Sequence, residues 1–144
     1  MTPDPAVRAR LVAQLRTRER WTPWTGALSR LLGIAESDAL FALQCVEDPS
    51  AWRAALLWPA ARYLQTPRLA EVGALIARMP PGTEIARHRH SQRELTYVLD
   101  GELIDDGNRS YRSGELIDMA VGTEHRVTVG GTDDCLVVLF FPRA

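Results

Sequence analysis

The spacing of hydrophobic residues changes near residue 57. Before that point they recur every three to four positions, as Val7, Leu11 and Leu15 do, which is the period of an amphipathic helix. Beyond it they fall in short runs bounded by proline, glycine, asparagine and aspartate, which is typical of β-strands separated by turns. The pattern therefore predicts a helical extension over residues 1–57 that packs on a β domain over residues 58–144.

Within the extension, proline and glycine set the expected helix boundaries. Pro23 restricts its neighbour and Gly26 offers a flexible joint, so the stretch between them is expected to interrupt the first helix. Gly33 is a suitable stop for the second helix. The predicted helices are Ala6–Arg20, Ala27–Leu32 and a third that Ser37 caps and that runs to about Val46.

The β domain is expected to hold about eight short strands with no helix between them. Strands at this spacing are typical of a closed all-β sandwich or barrel. The predicted strands are Arg62–Gln65, Val72–Met79, Glu84–His90, Glu94–Leu99, Arg109–Arg112, Leu116–Met119, His125–Val129 and Cys135–Phe141.

Composition narrows the range of partners. The 144 residues carry a formal net charge of -1, which gives no electrostatic basis for binding nucleic acid or an anionic membrane. The chain has no lysine, which excludes Schiff-base catalysis. Cys45 and Cys135 lie in different kinds of segment, so we expect no disulfide and a cytoplasmic location. Neither a signal peptide nor a transmembrane run is recognisable. The expected partners are a small molecule or another protein.

All three histidines and one glutamate lie between residues 82 and 129, namely His88, His90, Glu94 and His125. Imidazole and carboxylate groups are ligands that divalent transition metals prefer, and four of them leave one or two coordination positions open. A single histidine on an apolar face is more often a core residue than a ligand, so the joint spacing carries the hypothesis.

Strand geometry predicts that these side chains converge. Residues two apart on a strand share a face, so His88 and His90 are expected to point the same way together with Ala86. Glu94 opens the next strand and shares its face with Thr96. The interpretation is a metal site at one end of a mostly apolar barrel interior.

The spacing of these residues resembles the two signature motifs of the cupin superfamily. The first motif is matched position for position by Gly82, His88, His90, Glu94 and Gly101. The second is matched by Gly114, Gly122 and His125, with Ala120 where the family usually has proline and Val129 where it usually has asparagine. Neither departure affects a ligand, although the turn before His125 can differ in shape.

The resemblance implies a mainly β fold, a double-stranded β-helix or jelly-roll barrel with a small N-terminal α-helical extension. It implies that His88, His90, Glu94 and His125 bind one divalent transition metal per chain, with zinc as the first expectation and iron, manganese or nickel as alternatives. Because cupins commonly pair through their sheets, it also implies a homodimer, to which an apolar edge at Leu136–Phe141 would contribute.

A closer resemblance is to the cupin-like domain of ChrR-type anti-sigma factors, whose cupin site binds zinc. It rests on the runs Arg87–His90, Val98–Glu102 and Thr123–His125 and on Asp134–Cys135. Those factors inhibit their sigma factor through a separate amino-terminal zinc domain that uses histidine and cysteine. This chain has no histidine before His88 and only Cys45 there, so inhibition of a sigma factor does not carry over.

Two functions remain open, together with a purely structural metal. One is a binding module that senses a small molecule or oxidative stress, with the helices reporting to a partner. The other is a metal-dependent enzyme, of dioxygenase or isomerase type, acting on a small molecule in the cavity. No catalytic residue can be assigned: Tyr97, Tyr111 and Asp118 are candidates by residue type alone, and packing or turn roles are the simpler interpretation. Cys135 is expected to be a buried, inert thiol.

Overall fold

A computed structural model describes residues 2, 4–56, 58, 60–106 and 108–143. The chain forms two compact units, residues 1–50 and 51–144. In the described part of the chain, no helix is both long and apolar enough to cross a membrane. Leu57, at the predicted boundary, and Gly107, in an expected turn, lie outside the described residues.

The first unit consists of two α-helices and a short 3-10 helix. The elements are α1 (Pro5–Leu32), α2 (Glu36–Cys45) and the 3-10 turn Pro49–Ala51. Asp4 caps α1, since its side chain accepts a hydrogen bond from the backbone N–H of Ala6, and Gly33 ends the helix in the left-handed conformation. The cap of α2 is Ala35 and not Ser37, which lies inside the helix.

The predicted interruption of α1 is wrong, because the helix continues through Pro23. Proline removes one backbone donor and crowds the preceding turn. Two hydroxyls bond the carbonyls around it: Thr22 Oγ1 donates to Arg18 O at 2.7 Å and Thr25 Oγ1 donates to Trp21 O at 2.9 Å. Neither hydroxyl bonds the carbonyl of Glu19, which loses its donor to Pro23, so the continued burial of the helix at Trp21 and Thr25 is what prevails over the propensity of Pro23 to break it.

The two halves of α1 differ in burial. Trp21, Leu28 and Leu32 are at most 5% exposed in the C-terminal half. In the N-terminal half, by contrast, Leu11 is 52% exposed and Leu15 is 59% exposed. The amphipathic pattern at the start of the chain therefore forms a helix whose apolar side faces solvent.

The second unit is a two-sheet antiparallel β structure, as the sequence predicts. In the described residues its strands are β1 (Arg53–Ala54), β2 (Arg62–Leu64), β3 (Ala74–Met79), β4 (Glu84–Arg89), β5 (Glu94–Asp100), β6 (Glu102–Asp105), β7 (Ser110–Arg112), β8 (Leu116–Met119), β9 (Glu124–Val129) and β10 (Cys135–Phe140). One sheet has the order β1-β2-β3-β10-β5-β8 and the other has the order β4-β9-β6-β7. The mainly β fold with a helical segment is confirmed.

Two strands and one helix of this unit were not predicted. β1 is too short to show a pattern, and in β6 only Leu103 is buried, so no alternation is visible. The helix α3 (Pro67–Val72) begins at the cap Thr66 and corrects the expectation that no helix separates the strands. Gly101 links β5 to β6, and there a Cβ would lie 2.8 Å from the Cα of Cys135 at a φ of +86°. This close approach explains why the position requires glycine.

The expected apolar edge at Leu136–Phe141 is also wrong. β10 pairs with β3 on one side and with β5 on the other, so it lies inside the six-stranded sheet. Its continuous run of apolar residues reflects burial on both faces, as Val137 and Val138 show. Cys135, at its start, is fully buried, as expected.

Candidate metal centre

Three histidines meet on one pair of neighbouring strands. β4 and β9 are antiparallel partners, and their register places His88 directly opposite His125. His90 follows the end of β4, where its backbone N–H donates to Thr123 O and its carbonyl accepts from Gly122 N. The turn before β9 therefore fixes the backbone of His90 by two hydrogen bonds, and its ring contacts the other two.

Two of the ring nitrogens are spaced as two ligands of one ion would be. The Nε2 atoms of His88 and His125 are 3.1 Å apart. Two nitrogens at metal bond lengths of about 2.0–2.1 Å lie roughly 2.8–3.0 Å from each other in octahedral geometry and roughly 3.3–3.4 Å in tetrahedral geometry. One ligand atom from each of the three histidines can be chosen so that all lie within 4.8 Å of one another. The sequence prediction that these three residues converge is confirmed.

The strand carrying His88 is not regular, and this changes which residue shares its face. The pairing of β4 with β9 shifts register between Ile85 and His88. Such a bulge reverses the alternation of the strand. Ile85 therefore lines the cavity with His88, whereas Ala86, the residue expected there, is exposed. The expectation for Ala86 is wrong because a bulge leaves no mark in the hydrophobic pattern.

The hydrogen bonding of the rings suits metal ligation. His88 Nδ1 lies 2.9 Å from the carbonyl oxygen of Ala86, which can only accept, so this nitrogen carries the hydrogen and Nε2 keeps its lone pair. His90 is 4% exposed, and both of its ring nitrogens are buried without a hydrogen-bond partner. Such groups are costly in a folded protein unless something binds them.

Burial keeps the imidazole of His125 neutral. The pKa of His125 is lowered to about 4, first by desolvation and then by the neighbouring His88 and His90, while Asp106 and Asp105 act in the opposite direction. A neutral imidazole is the form that binds a metal. Near pH 7, His125 is therefore ready to act as a ligand.

Glu94 lies near the histidines but is not a member of the three-residue group found among the described side chains. It opens β5 and lines the same cavity as His88 and His125. Its Oε1 atom accepts a weak hydrogen bond from Thr96 Oγ1 at 3.4 Å. Glu94 thus lines the cavity on the same face as Thr96, as strand alternation predicts, and its role as a ligand stays a prediction.

The site opens into a cavity of about 410 Å³ in the second unit. Apolar side chains dominate its wall. The lining residues that bear most on its chemistry are Met79, Ile85, Leu103, Ile117, Val127 and Val137 on the apolar side, and Arg62, Tyr63, Thr96, His88, Glu94 and His125 on the polar side. A mostly apolar cavity with a few polar groups at one place is the usual form of a small-molecule site.

The three catalytic candidates lie elsewhere. Asp118 forms a two-point ion pair with Arg93, which also lowers the pKa of its carboxyl group. The hydroxyl of Tyr111 donates to Asp105, and burial raises the pKa of this tyrosine. The described residues that line the cavity do not include Tyr97, Tyr111 or Asp118. Packing and ion pairing explain Asp118 and Tyr111 without catalysis.

Two polar groups of the cavity were missed by sequence reasoning. Arg62 and Tyr63 lie on β2, which was predicted as a strand, and both contribute to the cavity wall. Alternation within three residues cannot tell which side chain turns inward. The signal that could have drawn attention to them is a tyrosine beside an arginine on a strand otherwise flanked by alanine and leucine.

Comparison with known families supports the fold and the motifs together. The model of the cupin domain family matches residues 75–141. This range contains all three histidines and Glu94. A comparison with curated proteins finds no significant match.

Several solved structures are similar to part of this chain. The polyketide cyclase RemF from Streptomyces resistomycificus is 17% identical, with a TM-score of 0.51 over 60% of this chain and 67% of that one. KdgF from Halomonas sp. is 18% identical, with a TM-score of 0.50 over 65% of this chain and 86% of that one. A chain of the complex between SigE and the anti-sigma ChrR from Rhodobacter sphaeroides is 23% identical over 62% of this chain, with a TM-score of 0.49. This chain spans 47% of that one. At such identities the likeness concerns the fold alone.

Proposed function

Because the model of the cupin domain family matches residues 75–141, we propose that the chain is a cupin and that it is a metal-binding module that takes up a small molecule and so senses that molecule or an oxidative change. One observation carries this proposal: three imidazoles meet at the wall of a cavity, and the most buried of them, His90, has no hydrogen-bond partner on either nitrogen. A bound cation would provide a partner for one of these nitrogens.

We take the metal to be zinc, with iron, manganese or nickel as alternatives. His88, His90 and His125 would hold it through nitrogen, and Glu94 would complete the set after rotation of its side chain toward the rings. Three nitrogen ligands and one oxygen ligand suit zinc. When bound, the ion would act as a Lewis acid toward an oxygen or nitrogen donor of a ligand in the cavity.

The expected ligand is a small, largely apolar molecule with one polar end. The apolar wall, represented by Ile85, Ile117 and Val127, would hold its body, while the polar group would point to the metal. A cavity of about 410 Å³ suits a compound of modest size. Because the catalytic candidates named from the sequence lie outside this wall, binding is a simpler role than turnover.

A metal-dependent enzyme, of dioxygenase or isomerase type, is the second candidate. The observation in its favour is Tyr63, whose side chain lines the same cavity as Glu94 and His125. A phenol in that place could exchange a proton with a bound compound. Loss of turnover in Tyr63→Phe with unchanged metal content would support this alternative over the binding module.

For partners and location we propose a homodimer that works in the cytoplasm, with the helices of the first unit available to a protein partner. Both cysteines are free, which fits a reducing compartment. The homodimer is supported by the exposed apolar side of α1.

Elemental analysis of the purified protein tests the proposal. The protein is produced in metal-supplemented cells as the parent and as His88→Ala and Glu94→Ala, with Glu124→Ala as a matched control because this exposed carboxylate lies beside His125. We expect about one zinc per parent and control chain, almost none in His88→Ala and a reduced amount in Glu94→Ala. A folded parent without any transition metal would refute the site.

Ligand binding separates the two candidate functions. A panel of small carbonyl and phenolic compounds is added to the zinc-loaded protein, and melting temperature and turnover are followed together. The binding module predicts a rise in melting temperature with some compounds and no product. Product formation that needs both the metal and Tyr63 would favour the enzyme.

A further inference from the structure

Strand β9 lacks regular pairing on both sides of Arg126, the residue that follows His125. On one side, the register of β9 with β6 ends at Val127. On the other side, the register with β4 shifts between Ile85 and His88, and this bulge leaves Arg126 without an opposite residue on β4. A bulge locally disrupts the ladder of backbone hydrogen bonds. The backbone beside His125 therefore needs another contact to hold its position.

The side chain of Asp106 provides that contact. Its Oδ1 atom accepts a hydrogen bond from the backbone N–H of Arg126 at 2.5 Å. Its Oδ2 atom accepts a hydrogen bond from the guanidinium group of Arg87, which lies in the stretch of β4 where the register shifts. These two hydrogen bonds form the Asp106 bridge. The bridge joins β9 next to His125 to β4 next to His88, and the charge on the carboxylate strengthens both bonds.

A second ion pair joins the same two strands and differs from the bridge in what it contacts. Glu84 on β4 accepts a hydrogen bond from the guanidinium group of Arg126 at 2.9 Å. The side chains of Arg126 and Glu84 are 56% and 61% exposed, and ion pairs between such exposed side chains contribute little. Asp106, by contrast, bonds the backbone itself. We therefore expect Asp106, and not Glu84, to fix the position of the backbone beside His125.

We propose that Asp106 is a positioning residue of the histidine site, whose bridge holds β9 and β4 together at the bulge and so keeps His125 opposite His88. The Nε2 atoms of these two rings are 3.1 Å apart, and a shift of one strand along the other would separate them. A metal binds rings that are already in place more tightly than rings that it must bring together. Asp106 therefore raises metal affinity without contacting the metal. This consequence for affinity rests on the metal binding proposed above, whereas the position of the rings does not.

Amide hydrogen exchange of the metal-free protein tests the bridge itself. In Asp106→Ala the amide of Arg126 should exchange about tenfold faster than in the parent, because it loses its acceptor. The amide of Val129 on the same strand donates to Thr83 O at 2.9 Å and should exchange as in the parent. Equal exchange of the Arg126 amide in parent and Asp106→Ala would overturn the inference.

Nuclear Overhauser effects between ring protons of His88 and His125 report the position of the two rings without metal. The effect should be present in the metal-free parent and should weaken in Asp106→Ala. Glu84→Ala is the matched control, because it removes a carboxylate that joins the same strands but bonds no backbone group of β9. It should leave the ring contact unchanged. A ring contact of equal strength in parent and Asp106→Ala would contradict the positioning role.

Zinc affinity, measured by competition with a chelator, tests the consequence for the metal. Asp106→Ala should bind zinc about tenfold more weakly than the parent or worse, as loss of groups that orient metal ligands usually does. Asp106→Asn should lose less, because its amide oxygen still accepts from the N–H of Arg126. Glu84→Ala should stay within about twofold of the parent. Circular dichroism of the metal-free variants checks that each is folded.

The outcomes separate this inference from the proposed function. Equal zinc affinity in the parent and in Asp106→Ala overturns the inference, and so does an equal loss in Glu84→Ala and Asp106→Ala. If Asp106→Ala does not fold, Asp106→Asn decides, and parent affinity in that variant together with an unchanged ring contact overturns the inference. A parent that binds no zinc refutes the proposed function, and amide exchange and the ring contact then decide the role of Asp106.

Discussion

Folded proteins usually bury apolar side chains and expose polar ones. The histidine site buries polar side chains, whereas the start of α1 exposes apolar ones. Between β4 and β9, polar rings are buried, and His90 has no partner for its nitrogens. On α1, apolar side chains such as Leu15 are in solvent. Buried polar groups and exposed apolar groups both cost stability in isolation. The difference agrees with the two proposals, that a cation binds inside and that a second protein surface covers the outside.

The largest expected effect is that of zinc on the melting temperature. Zinc should act only through the histidine site. Saturating zinc is expected to raise the melting temperature of metal-free protein by about 10 °C, because a ligand at a thousandfold of its dissociation constant adds about 4 kcal/mol. In His90→Leu the response should vanish, and the metal-free variant should be at least as stable as the metal-free parent, since an apolar side chain replaces an unpaired polar one. Differential scanning calorimetry with and without a chelator measures both effects.

A lower melting temperature of metal-free His90→Leu would mean that His90 stabilises the fold without metal. That outcome would remove the contrast between the two regions.

Two leucines on the same helix test the outer region. Leu28→Ala should cost about 2–5 kcal/mol of unfolding free energy, because Leu28 is 1% exposed. Leu15→Ala, at 59% exposure, should change stability by less than about 0.5 kcal/mol. Chemical denaturation at low protein concentration, where α1 is not paired, gives both values. A large cost for Leu15→Ala in the monomer would show that Leu15 already packs on its own chain.

The smallest expected effect concerns the reactivity of the two cysteine thiols. Burial raises the pKa of Cys135 to about 12, so its thiol stays protonated and unreactive up to strongly alkaline pH. Cys45 is half-buried, and its pKa is raised as well, by burial and by the charge of Asp48. At pH 8 we expect slow alkylation of Cys45 and almost none of Cys135 until the protein unfolds. Mass spectrometry of timed samples reads the two sites separately.

Much of the β unit could be predicted from sequence because its strands alternate and its turns carry glycine. The spacing from His88 to Glu94 and on to His125 was enough to expect a converging site, and for the three histidines this is confirmed. The predictions that were wrong concern local features of single strands. The bulge at Ile85 depends on how β4 pairs with β9, and pairing between distant strands leaves no periodic mark.

The helical unit shows another limit of prediction from sequence, which concerns where a helix ends. Pro23 and Gly26 were expected to end a helix, yet α1 continues because buried residues on both sides of Pro23 keep one period. Propensity is a weak guide when tertiary packing opposes it. The placement of β10 likewise could not be predicted, since a run of apolar residues does not show whether one or two strands flank it.

X-ray absorption spectroscopy at the zinc edge tests the central claim most directly, because it reports the ligands and not only the amount of metal. For the parent protein we predict three imidazole nitrogens at about 2.0–2.1 Å together with one oxygen, and no sulfur. His90→Leu should lose bound zinc, and Glu124→Ala should give the parent spectrum. A shell made of oxygen only, or one that includes sulfur from Cys45 or Cys135, would contradict the assignment of the histidine site.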